Sequence, residues 1–143
     1  NLIVDSGLKV KRRSHGLRCN ESIQVLLGDS MGELLSYYSV CDIAFIGGSL
    51  IDTGGQNMLE AAAASKPILF GPSVFNFEKI AQLFLEKDAA IQVGDADDLM
   101  KTISSLLLDD TKRQKLGENA KNSFEKNRGA IDRLLKLIIP NIN

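Results

Sequence analysis

Gly54 and Gly55 are followed, at the start of a predicted helix, by two polar residues, Asn57 and Glu60. The first turn of a helix presents free N–H groups and a partial positive charge, which favour a phosphate. Asn57 can donate to a phosphate oxygen, whereas the Glu60 carboxylate is suited to accept from the two hydroxyls of a ribose. The spacing therefore fits a nucleotide, but it fits equally well a helix that an acid stabilises near its positive end.

Three glycine-containing loops follow predicted strands, at residues 28–33, 47–60 and 71–73. Ligands of open parallel sheets bind outside the carboxyl ends of the strands, and glycine lets a backbone approach them closely. These loops are therefore the candidate ligand site. In the first loop, Ser30 and Glu33 have the S-x-x-E spacing of a capping box, which predicts that they open the next helix.

Other nucleotide and metal chemistries lack their residues. The sequence has neither the G-x-G-x-x-G pattern of dehydrogenases nor the G-x-x-x-x-G-K-[ST] pattern of P-loop proteins. His15 is the only histidine, and Cys19 and Cys41 are the only cysteines, so the sequence offers too few nitrogen and sulfur ligands for a zinc site. A Ser-His-Asp triad would have to use His15, which has no nucleophile elbow nearby. We expect no metal and no cofactor, two free thiols, and a Cys41 that packs as a small apolar residue.

The composition is that of a globular protein. The 143 residues are 44% hydrophobic and 24% charged, with a net charge of −1, which argues against a nucleic-acid partner. No apolar run is long enough to span a bilayer. Residues 9–18 hold five of the 17 basic residues and no acidic one, namely Lys9, Lys11, Arg12, Arg13 and Arg18. This segment is either a solvated loop or a contact for an anion or a membrane surface.

The hydrophobic pattern alternates between strands and helices. Short apolar runs predict strands at 8–11, 23–27, 42–46, 67–70 and 89–93. The helices predicted around them lie at 2–5, 34–38, 56–65, 75–86, 95–108 and 111–127, with a last helix that follows a break at Arg128-Gly129 and runs to Pro140. This order predicts an α/β fold, a Rossmann-like parallel sheet with helices on both faces, in one domain over residues 1–143. Phe75 and Phe77, which bracket Asn76 at the mouth of a strand, are expected to have a packing role.

The loops resemble those of a known enzyme family. The runs GDSMGEL (28–34), DIAFIGGSL (42–50) and GGQNMLEAA (54–62), with Gly71-Pro72 and Phe75-Asn76-Phe77 after them, are similar to the 3-deoxy-D-manno-octulosonic acid (Kdo) transferases. The resemblance covers nearly the whole chain. It implies the C-terminal half of a GT-B fold, in which two Rossmann-like domains face each other across a cleft. These enzymes move Kdo from CMP-Kdo to lipid A precursors at the cytoplasmic face of the bacterial inner membrane.

The resemblance also assigns roles to residues. It implies that Glu60 binds the ribose and that Asn57 and Gly55 contact the phosphate in the loop that begins with Gly54. It implies further that Gly48 and Ser49 line the donor cleft and that Ser30, Met31 and Gly32 lie near the cytosine. The acceptor-binding N-terminal domain, with the general base of an inverting transfer, is expected to be absent, so that this chain alone is expected to be soluble and inactive.

Two alternatives remain open on the residues alone. The first alternative is that the chain is the donor domain of another GT-B enzyme, such as a UDP-sugar transferase or an epimerase. The second is that it is a non-catalytic α/β module that binds an anion or a protein. Base preference separates the first alternative from a Kdo transferase. The second predicts that Glu60→Ala leaves nucleotide binding unchanged.

Overall fold

The computed structural model describes residues 2–16 and 20–138 of the chain. The predicted features at Arg18, Cys19 and Pro140 lie outside these residues. Whereas the sequence predicts one domain, the contacts divide the chain into two compact units, Asn1–Ser36 (unit 1) and Tyr37–Asn143 (unit 2). The strands form two separate parallel sheets, of two and three strands.

Unit 1 is built around the smaller sheet. Helix α1 (Leu2–Asp5) precedes strand β1 (Val10–Arg12), a 3-10 turn (Arg13–His15) and strand β2 (Val25–Leu27). The two strands run parallel, with Val10 opposite Val25 and Arg12 opposite Leu27. Residues 2–16 and 20–36 include no side chain that the structure describes as buried. Helix α2 (Leu34–Val40) spans the boundary between the two units.

Unit 2 contains the larger sheet, in the order β3-β4-β5. Its parallel strands are β3 (Ala44–Phe45), β4 (Ile68–Phe70) and β5 (Ala90–Gln92). The helices of this unit are α3 (Leu59–Ala63), α4 (Glu78–Glu86), α5 (Ala96–Leu107) and α6 (Asp110–Ile138). The central strand β4 is buried along its whole length, as its continuous apolar run predicts.

The sheet of unit 2 is covered on both faces. Ile68 and Phe70 of β4 belong to the larger apolar cluster, which also contains Ile80 and Phe84 of α4. Leu69, between them, belongs to a second cluster with Leu106 and Leu116, from α5 and α6. Successive side chains of a strand point to opposite faces, so the two clusters lie on opposite sides of the sheet. The predicted α/β architecture is confirmed.

Two element predictions are wrong. Helix α6 continues through Arg128 and Gly129, because one glycine costs a helix only about 1 kcal/mol and good helix formers follow it. The capping box does not open α2, which begins only at Leu34. Gly32 has a φ of 79°, a left-handed conformation that prevents residues 30–33 from forming a helical turn.

Candidate functional site

The loop after β3 is anchored by Ser49. This residue is fully buried, and its hydroxyl donates to the Ile46 carbonyl at 2.5 Å and accepts from the Gly71 N–H at 2.8 Å. Its own carbonyl accepts from the Ser73 N–H at 2.9 Å. Ser49 therefore joins the loops after β3 and β4. The resemblance implies that Ser49 lines the donor cleft, but its side chain is buried and both partners of its hydroxyl are buried backbone groups.

Glycines allow these two loops to approach each other. A Cβ atom on Gly71 would lie 2.3 Å from the Ser49 carbonyl oxygen, and one on Gly54 would lie 2.4 Å from Nδ2 of Asn76. The Gly54 N–H donates to the Ser73 hydroxyl at 3.0 Å. Gly54 is buried, so the close approach that requires this glycine is made by the protein itself.

Gly48 and Gly55 give the same loop its path. Both have positive φ angles, of 74° and 69°, which other residues rarely adopt. A Cβ on Gly48 would lie 2.7 Å from the Thr53 hydroxyl, which donates to the Gly48 carbonyl. Gly55 is buried, with the Ser73 carbonyl oxygen 3.2 Å from the place of a Cβ. These glycines fix the shape of the loop that leads to Asn57.

Asn57 is oriented by a local hydrogen bond. Its side-chain oxygen accepts from the Leu59 N–H at 3.0 Å, at the start of α3. Asn57 is half-buried, and this bond engages the carbonyl end of its amide. The NH₂ end carries the two donors of the side chain, as the binding of an anion requires. Helix α3 has only five residues, so its dipole contributes less here than the predicted helix over 56–65 would.

Glu60 lies in the first turn of α3 and is half-buried. Tyr38 is close enough to be affected by its charge, since burial raises the pKa of the Tyr38 hydroxyl and the negative charge of Glu60 raises it further. Tyr38 therefore keeps its proton near neutral pH. A carboxylate placed one turn after an amide donor can accept hydrogen bonds from neighbouring hydroxyls of a ligand.

The loop after β2 belongs to unit 1 and carries Ser30, Met31 and Gly32. All three are exposed, and the Met31 side chain is 97% exposed. Asp29 and Glu33, which bracket them, are bonded to the basic segment: Arg12 lies 3.5 Å from Asp29, and Arg13 lies 2.6 Å from Glu33. Arg12 and Arg13, whose role the sequence left open, therefore pair with acidic residues of the loop after β2.

Hydrogen bonds to the same two carboxylates shift their acidity. The pKa of Asp29 is lowered, chiefly by the hydroxyl of Ser14 and then by its N–H, with a smaller effect from the charge of Arg12. The pKa of Glu33 is lowered chiefly by the Ser30 hydroxyl, against partial desolvation, and also by Arg13. Both groups are therefore held as carboxylates at neutral pH.

A cleft of about 440 Å³ opens at the carboxyl ends of β3 and β4. It is lined by Leu50, Ile51, Asp52, Pro72, Ser73, Val74, Phe75 and Glu78. Phe77 is buried, which agrees with its predicted packing role, but Phe75 is 61% exposed on this cleft, so the prediction that Phe75 serves only in packing is wrong. The sequence placed both loops at this edge of the sheet, but no residue spacing indicated which side chains line the cavity between them.

The structure also shows where Cys41 and His15 lie. Cys41 is a half-buried free thiol that packs against the core, and burial raises its pKa. His15 is exposed in the 3-10 turn. In the part of the chain that the structure describes, no group of three or more His, Cys, Asp or Glu side chains is placed to hold a metal ion. No helix within the described ranges combines the length and apolarity needed to cross a membrane.

The fold is that of an α/β domain with parallel sheets, and comparison with known proteins gives its family. Residues 3–123 match the glycosyl transferases group 1 family, and the chain belongs to that family. Within it, the chain is 41% identical over 145 residues to the 3-deoxy-D-manno-octulosonic acid transferase of Haemophilus influenzae, over 98% of this chain and 34% of the relative. The enzyme of the same name from Bordetella pertussis is 38% identical over 131 residues, 91% of this chain and 31% of the relative.

A solved structure is also similar. The crystal structure of the C-terminal CMP-Kdo binding domain of WaaA from Acinetobacter baumannii matches with a TM-score of 0.81 and 32% sequence identity, over 86% of this chain and 64% of that chain. The resemblance to the Kdo transferases is thereby confirmed. The chain spans about a third of the length of the curated relatives it matches.

Proposed function

We propose that this chain is the donor-binding domain of a Kdo transferase and that it binds CMP-Kdo. The observation that carries the proposal is the pair Asn57 and Glu60. The Asn57 amide is oriented by its own bond to Leu59, and the Glu60 carboxylate follows one turn later. Asn57 thus offers hydrogen-bond donors to a phosphate, and Glu60 offers hydrogen-bond acceptors to the diol of a ribose, which are the groups that a nucleoside monophosphate presents.

The proposal also gives a role to the other site residues predicted from the sequence. Gly48, Gly54 and Gly55 shape the loop that presents Asn57 to the phosphate, and Ser49 ties this loop to the loop after β4. Ser30, Met31 and Gly32 contact the cytosine. No metal ion or other cofactor takes part. During transfer, N–H groups of the loop and the Asn57 amide stabilise the charge that develops on the departing CMP.

The longer protein to which this chain corresponds supplies the rest of the reaction in the proposal. It transfers Kdo to a lipid A precursor with inversion, and a general base outside this chain removes the proton of the acceptor hydroxyl. It acts at the cytoplasmic face of the inner membrane, where lipopolysaccharide is assembled. This chain by itself binds the donor and transfers nothing.

A nucleotide titration of the isotope-labelled chain, followed by NMR, tests the proposal. CMP is expected to shift the amides of Gly48, Asn57 and Glu60, with weaker or no shifts from UMP and NAD. Glu60→Gln is expected to weaken CMP binding about tenfold or more, since hydrogen bonds to a charged group contribute about 1.5–3 kcal/mol. Glu118→Gln, which removes an exposed charge on α6, serves as the matched control and is expected to bind CMP like the unaltered chain.

Each other outcome contradicts a defined part of the proposal. Tighter binding of UMP than of CMP would assign the chain to a UDP-sugar enzyme. Unchanged binding by Glu60→Gln would remove the ribose assignment and favour a non-catalytic anion-binding module. If none of the three nucleotides shifts any amide at millimolar concentration, the chain is not a CMP-binding domain.

A further inference from the structure

The loop after β2 and the turn after β1 lie side by side. Strands β1 and β2 are parallel, and Arg12, the last residue of β1, is opposite Leu27, the last residue of β2. The 3-10 turn (Arg13–His15) and the loop 28–33 therefore leave the same edge of the same small sheet. This register brings the basic segment next to the acidic ends of the loop.

The first end of the loop is fixed at Asp29. One carboxylate oxygen accepts from the Ser14 N–H at 2.9 Å, and the other accepts from the Ser14 hydroxyl at 2.7 Å and from Arg12 at 3.5 Å. Two of these donors belong to a residue of the 3-10 turn, and one of them is a backbone group. The position of Asp29 is therefore set by the backbone of the neighbouring turn as well as by side chains.

The second end of the loop is fixed at Glu33. Its Oε1 atom accepts from Nη2 of Arg13 at 2.6 Å, and its Oε2 atom accepts from the Ser30 hydroxyl. The carboxylate thus connects the 3-10 turn to the first residue of the Ser30–Gly32 segment. The side chains of Arg13 and Glu33 are 26% and 32% exposed, so this ion pair is partly shielded from solvent.

The centre of the loop projects between these two ends. The Met31 side chain is 97% exposed, and Gly32 has a φ of 79°, which turns the chain back toward Glu33. An apolar thioether held in water by a chain fixed on both sides gains nothing from burial within unit 1. It can gain from contact with an apolar or aromatic group of a ligand, since thioethers pack well against aromatic rings.

We infer that Arg13 and Glu33, together with Ser14 and Asp29, are positioning residues that hold Ser30–Gly32 in the conformation that meets the base of the nucleotide. This inference rests on the proposed function, in which that segment contacts the cytosine. Arg13 is then engaged by Glu33 and does not bind the phosphate of the donor. Its removal affects the choice between bases more than the overall affinity for a phosphate.

The first part of the test measures loop order in the absence of any ligand. ¹⁵N relaxation of the labelled chain is expected to give order parameters near 0.85 for residues 29–33, the value of rigid backbone, and below about 0.6 in Arg13→Ala. Lys9→Ala removes the same charge from the same basic segment and is expected to leave the loop ordered. The charge exchange Arg13→Glu with Glu33→Arg rebuilds the pair and is expected to restore the order.

The second part measures the Kd for CMP and for UMP with the same variants. The preference for CMP over UMP is expected to fall about tenfold in Arg13→Ala, to remain in Lys9→Ala, and to return at least partly in the charge exchange. A variant that only destabilised the chain would lower the bound fraction of both nucleotides together and leave their ratio unchanged. The ratio therefore separates positioning from a general structural role.

The outcomes distinguish the two proposals. An ordered loop in Arg13→Ala overturns the inference, whatever the nucleotides do. Equal losses of CMP affinity in Arg13→Ala and Lys9→Ala would indicate that the basic segment attracts an anion in general, which overturns the inference. The charge exchange could also restore loop order without restoring the preference for CMP. That result would indicate that Arg13 touches the ligand, and it too overturns the inference. If the unaltered chain binds neither nucleotide, the proposed function fails and the claim about the base fails with it, while the relaxation data still decide whether the pair orders the loop.

Discussion

Unit 2 buries a continuous apolar core on both faces of its sheet, whereas none of the unit 1 side chains whose burial the structure describes is buried. The larger sheet is held by fully buried residues such as Phe70 and Phe84. In unit 1, Leu8 before the smaller sheet and Leu26 within it are more than 40% exposed. The loop after β2 in unit 1 is instead fixed by a set of ion pairs and hydrogen bonds between Arg12–Ser14 and Asp29–Glu33.

These two kinds of interaction contribute differently. A buried aromatic side chain stabilises a fold by several kcal/mol, whereas an exposed ion pair typically contributes about 0–1 kcal/mol. Ion pairs and bidentate hydrogen bonds do, however, impose distance and direction. The comparison teaches that unit 2 supplies free energy, and that the polar contacts of unit 1 supply mainly the shape of a loop. The predictions below begin with the largest expected difference between the units.

The largest difference is expected from truncation of an apolar side chain in each unit. Phe84→Ala is expected to lower the free energy of unfolding by about 3–5 kcal/mol, because Phe84 is fully buried and its loss leaves a cavity. Leu26→Ala, in strand β2, is expected to cost less than about 1 kcal/mol, because Leu26 is 45% exposed. Urea denaturation measures both, and similar costs would show that unit 1 buries more surface than the structure gives it.

A smaller loss is expected where the two loops of unit 2 meet. Gly71→Ala places a methyl group 2.3 Å from the Ser49 carbonyl oxygen, a backbone atom that cannot turn away. Overpacking of this kind costs about 1–3 kcal/mol. Gly47→Ala is the control, since nothing lies within 4 Å of its Cβ position, and its effect is expected to stay within about 0.5 kcal/mol.

The nucleotide titration extends this second prediction to binding. Because Gly71 contacts the loop that carries Asn57, Gly71→Ala is expected to weaken CMP binding, whereas Gly47→Ala is not. A Gly71→Ala chain with unchanged stability and unchanged binding would mean that the loops after β3 and β4 move independently. That result would separate the Ser49 anchor from the proposed phosphate site.

Most of the fold of unit 2 could be predicted from the sequence. Apolar runs that belong to central parallel strands, such as Ile68–Phe70, are buried whatever surrounds them, so their pattern is a direct signal. The predicted N-terminus at Asp95 is also confirmed, because its side chain accepts from the Asp98 N–H at 2.9 Å. Where a local rule and the tertiary packing agree, the sequence is sufficient.

The candidate site was harder to predict because local rules compete there. The S-x-x-E spacing of Ser30 and Glu33 is a capping signal, but Arg13 takes one oxygen of Glu33, and Ser30 donates to the other. That competition depends on the register of β1 against β2, which no local pattern contains. In the same way, the resemblance assigns Ser49 to the donor cleft, but its hydroxyl accepts from the Gly71 N–H and so joins two loops inside the protein.

The smallest expected effect is a response of unit 1 to acid. The pKa values of Asp29 and Glu33 are lowered in the folded chain from their ordinary 3.8 and 4.5. Folding therefore favours the carboxylates, and the contribution is present above those ordinary values and lost as the pH falls through the lowered ones. In an NMR titration the Ser14 amide, which donates to Asp29, is expected to shift with a midpoint below 3.8.

The contrast with unit 2 makes this acid response specific. The Val93 N–H donates to the Phe70 carbonyl within the covered sheet, so its shift is expected to stay constant over the pH range in which the Ser14 amide moves. Asp29→Asn keeps the size of the side chain and removes its charge, so it is expected to abolish the titration of Ser14. A Ser14 midpoint at or above 3.8 would show that the contacts do not favour the Asp29 carboxylate, and the loop would then need another cause for its order.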